Sequence, residues 1–252
     1  MRLRTPRQQT VLPALSLGLL LLIWKIASLV LQTASLPAPE RVAIVFWQAT
    51  LSGELPYHLG ITLLRLLVSF SLAMLLGCAI GIALGKSRRL NAFFDNWLVI
   101  FLNIPALVTI ILCYIWFGLV ESAAILAVVI NKLPNVVVTF REGTRALDKD
   151  LLEMAQSYGF NRRKTFLHVI WPQLHPFFMT ATRSGLALIW KIILVVELLG
   201  RSNGMGYQLH VFFQLFDVAS LLAYSLAFVM IIQLIEVVLL KPLDRNAQRW
   251  RR

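Results

Sequence analysis

Long apolar stretches separated by short polar ones set the pattern of the chain. Six of them reach the length at which a helix, rising about 1.5 Å per residue, crosses the ~30 Å hydrocarbon core of a bilayer. They are Val11–Leu31, Ile61–Leu84, Trp97–Leu119, Ser122–Phe140, Phe177–Leu199 and Val218–Leu240. A helix satisfies its own backbone hydrogen bonds in lipid, and the alternating pattern of a membrane barrel is absent. The pattern predicts an all-α integral membrane protein with six transmembrane helices. It divides the chain into an N-terminus (1–10), a first transmembrane helix (11–31), an outer segment (32–57), a transmembrane core (58–240) and a basic tail (241–252).

The longest polar interruption of the core, 141–176, carries its own helical signals. Asp148 suits an N-cap, and Leu152, Ala155 and Tyr158 repeat at helical spacing. Gly159 suits the left-handed residue that closes a helix, and Asn161 suits the cap of a second one. That second helix is expected over Arg162–Ile170, with Phe166, Val169 and Ile170 apolar, until Pro172 stops it. The loop thus reads as two short amphipathic helices hinged at Gly159. Such a pair either buries its apolar faces against another protein or lies on lipid headgroups.

Composition agrees with a membrane protein. Hydrophobic residues make up 58% of the 252, mean hydropathy is +0.75, and charged residues are 14%, against about 25% in soluble chains. The net charge of +12 is a topology signal more than a nucleic-acid surface. Segments expected on one side (the N-terminus, the stretch after the second run, the loop after the fourth, the C-terminus) hold 17 Lys and Arg; the alternate segments hold only Arg41 and Arg201. The positive-inside rule puts both termini and the 141–176 loop in the cytoplasm, with the basic segments facing anionic lipid. Val11–Leu31, which contains Lys25, is long for the apolar part of a signal peptide and is expected to be retained. Cys78 and Cys113 fall inside runs as packing residues, with no disulfide or metal-ligand spacing.

The stretch Gly81-Ile82-Ala83-Leu84-Gly85-Lys86-Ser87 ends like a phosphate-binding loop, but only three residues separate its glycines where that loop needs four. Gly77, Gly81 and Gly85 instead recur every four residues, a small-residue stripe that lets two membrane helices approach closely. No nucleotide, other cofactor or metal is therefore expected on this chain. Charges within or near the runs are Arg65, Lys132, Arg183, Lys191, Glu197 and Glu236. Arg65 and Arg183 lie near run ends, where snorkelling to headgroups is expected. Lys132, flanked by Asn131 and Asn135, and Lys191 lie near mid-membrane, where a cation costs at least ~2.5 kcal/mol. Either they line a translocation path for a small anion, or they pair with carboxylates or carbonyls between helices. Glu197 reaches Lys191 only from a different helix face. A membrane enzyme is disfavoured, since His58, His168, His175 and His210 fall outside the runs and Asp148 and Asp150 have no third ligand partner at fixed spacing. An ion-coupled carrier or channel stays open, although no inverted repeat is visible.

The run Glu153-Met154-Ala155, then Gly159, then Val169-Ile170-Trp171-Pro172 resembles the E-A-A–x3–G–x9–I–x–L–P signature of bacterial ABC-importer permeases. Glu153, Ala155, Gly159 and Pro172 match outright; Met154, Val169 and Trp171 are apolar substitutes. From about Leu36 to Leu240 the chain is similar to the nitrate/sulfonate/taurine branch. The similar stretches are Leu36-Pro37-Ala38-Pro39, Thr62-Leu63-Leu64-Arg65, Ile104-Pro105, Trp116-Phe117-Gly118 with Glu121, Gly143 with Arg145, Glu197, and Ser202-Asn203-Gly204-Met205-Gly206. The chain departs from the branch at Leu102, Ile111, Lys132 and Lys191, which bears on the substrate and not the fold. The resemblance implies a transport subunit of the bacterial cytoplasmic membrane, working as a pair, which is not itself an enzyme. Two partner ATPase subunits would hold ATP and Mg, and a periplasmic or lipid-anchored binding protein would deliver solute from outside. Glu153, Met154, Ala155, Gly159, Arg162, Val169, Trp171 and Pro172 would then form the coupling contact with the ATPase. Gly204 and Gly206 would lie in a flexible outer loop facing the binding protein.

Overall fold

The computed structural model describes residues 6–33 and 35–240; the basic residues Arg2 and Arg4 and the tail 241–252 lie outside the described residues. All regular structure among the described residues is helical. Helix α1 spans Pro6–Leu31, α2 Pro39–Leu51, α3 Glu54–Lys86, α4 Arg88–Asn103, α5 Ala106–Phe117 and α6 Glu121–Arg145. Two short helices follow, α7 at Lys149–Ser157 and α8 at Arg162–Thr165, then α9 at Trp171–Gly200, α10 at Met205–Gln214 and α11 at Val218–Ile235. By length and composition, Glu54–Lys86, Glu121–Arg145 and Val218–Val238 can each cross a membrane, and the bent pair α4–α5 would make a fourth span.

The helix ends follow from local chemistry. Gly53, at φ +83°, precedes α3, and Pro39 sits in the first turn of α2, where its missing N–H costs nothing. Ser87 caps α4 by accepting from the Leu90 N–H at 3.3 Å, and Asp217 caps α11 by accepting from the Ser220 N–H at 3.2 Å. The expected single run Trp97–Leu119 is not one helix. Its two halves meet at 97°, because Ile104 ahead of Pro105 is extended (φ −69°, ψ 124°) and proline disfavours the helical conformation in the residue before it. The outer segment 32–57 likewise is not plain loop: it holds α2 and the first turn of α3.

The glycine stripe organises the bundle. A Cβ placed on Gly77 would lie 2.6 Å from the Val136 Cβ, one on Gly81 2.6 Å from the Phe140 Cβ, and one on Gly85 2.5 Å from the Thr144 Cβ. The two helices advance together by four residues at each contact, so α3 and α6 run parallel. The chain between them must therefore return along the bundle, which is the course of α4–α5. In lipid there is little hydrophobic gain from helix association, so backbone approach and dispersion hold such a pair together. Around it, Leu66, Ile110, Cys113, Ala124, Val128, Ile189 and Ile193 form a buried core shared by α3, α5, α6 and α9. A second core joins Leu55, Met205, Tyr224 and Phe228 at the end opposite the α7–α8 pair. Helix α1 is tethered to α2 by the Trp24 indole N–H, which donates to the Pro37 carbonyl at 3.1 Å, and by a 2.7 Å Lys25–Glu40 ion pair. The hydrogen bond from Lys25 holds the Glu40 carboxyl below its ordinary range.

Candidate functional site

The polar loop folds as the expected helix pair. Asp148 caps α7 through its Oδ1, which accepts from the Asp150 N–H at 2.9 Å. Gly159 has φ +66°; its N–H donates to the Gln156 carbonyl and that of Phe160 to the Ala155 carbonyl, the pairing that closes a helix through a left-handed residue. Asn161 then caps α8, its Oδ1 accepting from the Lys164 N–H at 2.8 Å. Ala155 is fully buried, whereas Leu151, Met154 and Tyr158 stand exposed on α7. Glu153, Arg162, Arg163 and Lys164 are also exposed, and the Lys164 ammonium lies over the Phe160 ring. The Asp148 N–H donates to the Gln173 side chain at 2.8 Å, so the pair is tied to the base of α9.

Pro172 does not end the second helix. From α8 the chain passes through a π turn at Phe166–Ile170 directly into α9, with Pro172 in its first turn. The wider π turn shifts the hydrogen-bond register there, so the proline ring and its missing N–H are tolerated. Val169 is buried, Trp171 half-buried and Pro172 exposed. Arg162 and Val169 therefore lie on helical turns that run directly into α9, where Trp171 and Pro172 sit in the first turn, and the polar connection proper is 146–170 instead of 141–176.

The mid-span residues are not gathered into one site. Lys132 is only 2% exposed; its Nζ lies 3.5 Å from the Ser184 Oγ, and its Cε would be 3.2 Å from a Cβ on Gly185. Asn131 turns to its own helix, donating to the Ala127 carbonyl at 2.8 Å, and Asn135 is exposed. Lys191 lies elsewhere, exposed in a groove between α9 and α11, with its Nζ 5.4 Å from the Trp190 ring centroid.

The largest polar assembly among the described residues is one that the sequence left scattered. Arg65 does not snorkel: it is 4% exposed and sits between two carboxylates. Its Nη1 donates to Glu197 Oε1 at 2.7 Å and to the Asn203 carbonyl at 2.9 Å, its Nε donates to Glu121, and its Nη2 donates to the Asn203 side chain. Arg201 reaches Glu121 Oε2 at 2.8 Å and the Leu119 carbonyl at 2.6 Å. Glu197, fully buried, also accepts from Thr62 Oγ1 at 2.9 Å and the Gly206 N–H at 2.8 Å. His58, expected outside the runs, is buried in the first turns of α3, where its Nδ1 accepts from the Gly204 N–H at 3.0 Å. Gly204 and Gly206 thus do not form a flexible loop. They are pinned to Glu197 and His58, and a Cβ on Gly206 would lie 2.9 Å from the Glu197 Cβ. Two arginines against two glutamates leave the cluster neutral, as buried ions require. Thr62, Arg65, Glu121 and Glu197 were each visible as isolated polar positions; only the parallel register of α3 and α6 and the reach of α9 bring them together.

Residues 73–252 match the family described as the binding-protein-dependent transport system inner membrane component. The aliphatic sulfonates transport permease of Escherichia coli (strain K12), so named, is 36% identical over 187 residues, 73% of this chain and 71% of that one. The taurine transport system permease of the same organism is 27% identical over 250 residues, 96% of this chain and 90% of that one. The nitrate import permease of Synechocystis sp. is 24% identical over 79% of this chain and 75% of that one. Among solved structures, the inward-facing methionine ABC transporter MetNI superposes with a TM-score of 0.63 at 16% identity, over 75% of this chain and 92% of that one. An amino acid ABC transporter superposes at 0.62 with 18% identity, over 80% and 96%; both are likenesses of fold. The chain belongs to the inner-membrane components of binding-protein-dependent transport systems: it is the permease component of an ABC importer, not an enzyme.

Proposed function

We propose that this permease carries a small oxyanion, of the sulfonate, taurine or nitrate kind, from a binding protein outside into a bacterial cytoplasm. The charge of the solute is supported by the names of three relatives and by Lys132 and Lys191, which have no carboxylate within ion-pair distance among the described residues. Two copies of the chain would enclose the path, each crossing six times with both termini in the cytoplasm, α1 and α9 counting as spans beside the four read from length. Two ATPase subunits holding ATP and Mg would dock on the α7–α8 pairs, and the pinned Gly204–Gly206 segment would face the binding protein.

The observation that carries this reading is the α7–α8 pair itself. It exposes an apolar stripe, Leu151, Met154 and Tyr158, beside exposed Glu153, Arg162 and Arg163, and it continues through the π turn into α9. Movement imposed on that pair by ATPase closure is transmitted along α9 as along a lever, shifting a two-state equilibrium through differential contacts. Gly159→Val tests it. The left-handed backbone costs a branched residue roughly 1–2 kcal/mol, and nothing lies within 4 Å of the Gly159 Cβ position, so the damage is confined to the hinge. The variant is expected to insert normally and to lose ATPase co-purification or stimulation; unchanged docking and uptake would remove the pair from the coupling contact.

A further inference from the structure

Helix α4 stands off from the bundle across an apolar groove. None of its residues is buried. Its polar edge is tied to α6, the Arg141 guanidinium donating to the Asn91 side chain at 3.1 Å and to Asp95. The neighbouring stripe, Leu90, Phe94, Trp97, Leu98 and Phe101, recurs at helical spacing. All five line a cavity of ≈ 500 Å³ whose other walls are apolar residues of α3 and α6. Apart from the Trp97 indole N–H, no lining side chain carries a polar group, so water finds no set of partners there.

The groove is long and begins at a basic corner. Gly81 packs on Phe140 and Gly85 on Thr144, so Leu84, at one end of the groove, is level with Gly143 of α6. Ile130, at the other end, lies thirteen residues before Gly143, roughly 20 Å at 1.5 Å per residue. One leaflet of a ~30 Å hydrocarbon core is about 15 Å deep, so an acyl chain of that leaflet fits along it. Leu84 and Leu90 flank the α3–α4 corner, which carries Lys86, Arg88 and Arg89 at the end of the bundle nearest α7. All three are exposed, and none is within ion-pair distance of a carboxylate among the described residues.

We propose that the groove between α3, α4 and α6 binds an anionic phospholipid, one acyl chain lying along the α4 stripe and the phosphate seated at Lys86, Arg88 and Arg89. Basic pockets at the end of membrane helices take such headgroups, and here the hydrocarbon seat adjoins the charge. A second copy of the chain fits less well. Docked through this groove about a twofold axis along the membrane normal, it would set its own three cations against these, whereas an anionic headgroup neutralises them.

The test uses the complete permease–ATPase complex in phosphatidylcholine vesicles and reads quenching of tryptophan emission by lipids with brominated acyl chains. Trp97 is the reporter, and the Trp97→Phe complex supplies the background of the other tryptophans. Brominated phosphatidylglycerol should quench the Trp97 emission at a mole fraction at least about tenfold lower than brominated phosphatidylcholine requires, since each Lys or Arg near the headgroup contributes about a factor of five. Arg88→Ala should cut that preference about fivefold, and the triple change Lys86→Ala, Arg88→Ala, Arg89→Ala should erase it. Ala83→Phe fills the groove from α3 and keeps the cations; it should weaken quenching by both lipids, and it serves should the triple variant fail to assemble. Equal quenching by the two lipids, a preference that survives the triple change, or quenching untouched by Ala83→Phe would overturn the site. Trp97 emission quenched by neither lipid, with Trp97→Cys chains crosslinking to each other, would give the groove to a second copy and overturn it as well.

Discussion

Gly81→Ala puts the packing of α3 on α6 to a quantitative test. The added Cβ would stand 2.6 Å from the Phe140 Cβ, 2.7 Å from the Val137 carbonyl oxygen and 3.2 Å from the Arg141 nitrogen. Carbon atoms in contact prefer about 3.5–4.0 Å, so the helices must separate by roughly 1 Å at this point. Two of the three neighbours are backbone atoms and the third is a Cβ, so no rotamer change relieves the clash. Overpacking of this kind costs about 1–3 kcal/mol, offset by up to about 1 kcal/mol of helix propensity gained over glycine. Gly60 in the same helix supplies the control, because nothing lies within 4 Å of its Cβ position and Gly60→Ala keeps the propensity gain alone. Unfolding in detergent, followed by circular dichroism, should place Gly81→Ala below the parent and Gly60→Ala level with it or above. Equal stability of the two variants would refute the close approach.

Three further outcomes follow from named contacts. Lys86→Ala should leave photo-crosslinking of labelled ATP to the isolated permease at background, where the unmodified chain also lies; specific labelling lost in that variant would restore the nucleotide-loop reading of Gly85-Lys86-Ser87. Glu197→Leu leaves the Arg65 guanidinium with Glu121 as its one carboxylate among the described residues and unties Thr62 and Gly206, so a loss on the order of 3 kcal/mol is expected. The Arg65→Met/Glu197→Leu double variant should lose less than the sum of its single changes; strict additivity would argue against direct coupling. Pro105→Ala should relax the bend between α4 and α5, read as a longer distance between spin labels at positions 97 and 116; an unchanged distance would show that packing, and not the proline, makes the break.

Much of the fold was legible because lipid permits few solutions. Long apolar runs must be helices, and the glycine stripe announced a close helix contact whose partner, α6, needed the structure. Caps at Asp148 and Asn161 and the closing role of Gly159 were readable because each rests on one residue's local hydrogen bonding. What failed was what depends on neighbours. Pro172 was expected to break a helix, yet the π turn before it absorbs the lost hydrogen bond. Arg65 was expected at the headgroups, since in sequence it is one cation near a run end. Its carboxylates lie 56 and 132 positions away, and no local pattern joins them. Asn131 turns away from Lys132 because adjacent residues in a helix point apart, and Asn135 is exposed while Lys132 is buried.

The most direct test of ATP-driven import through this chain is uptake of radiolabelled ethanesulfonate into proteoliposomes assembled from defined components. With ATP at the face carrying the ATPase and binding protein at the other, uptake should require permease, ATPase and binding protein together and stop when the ATPase cannot hydrolyse. Uptake by the permease alone, driven by an ion gradient and indifferent to ATP, would contradict it.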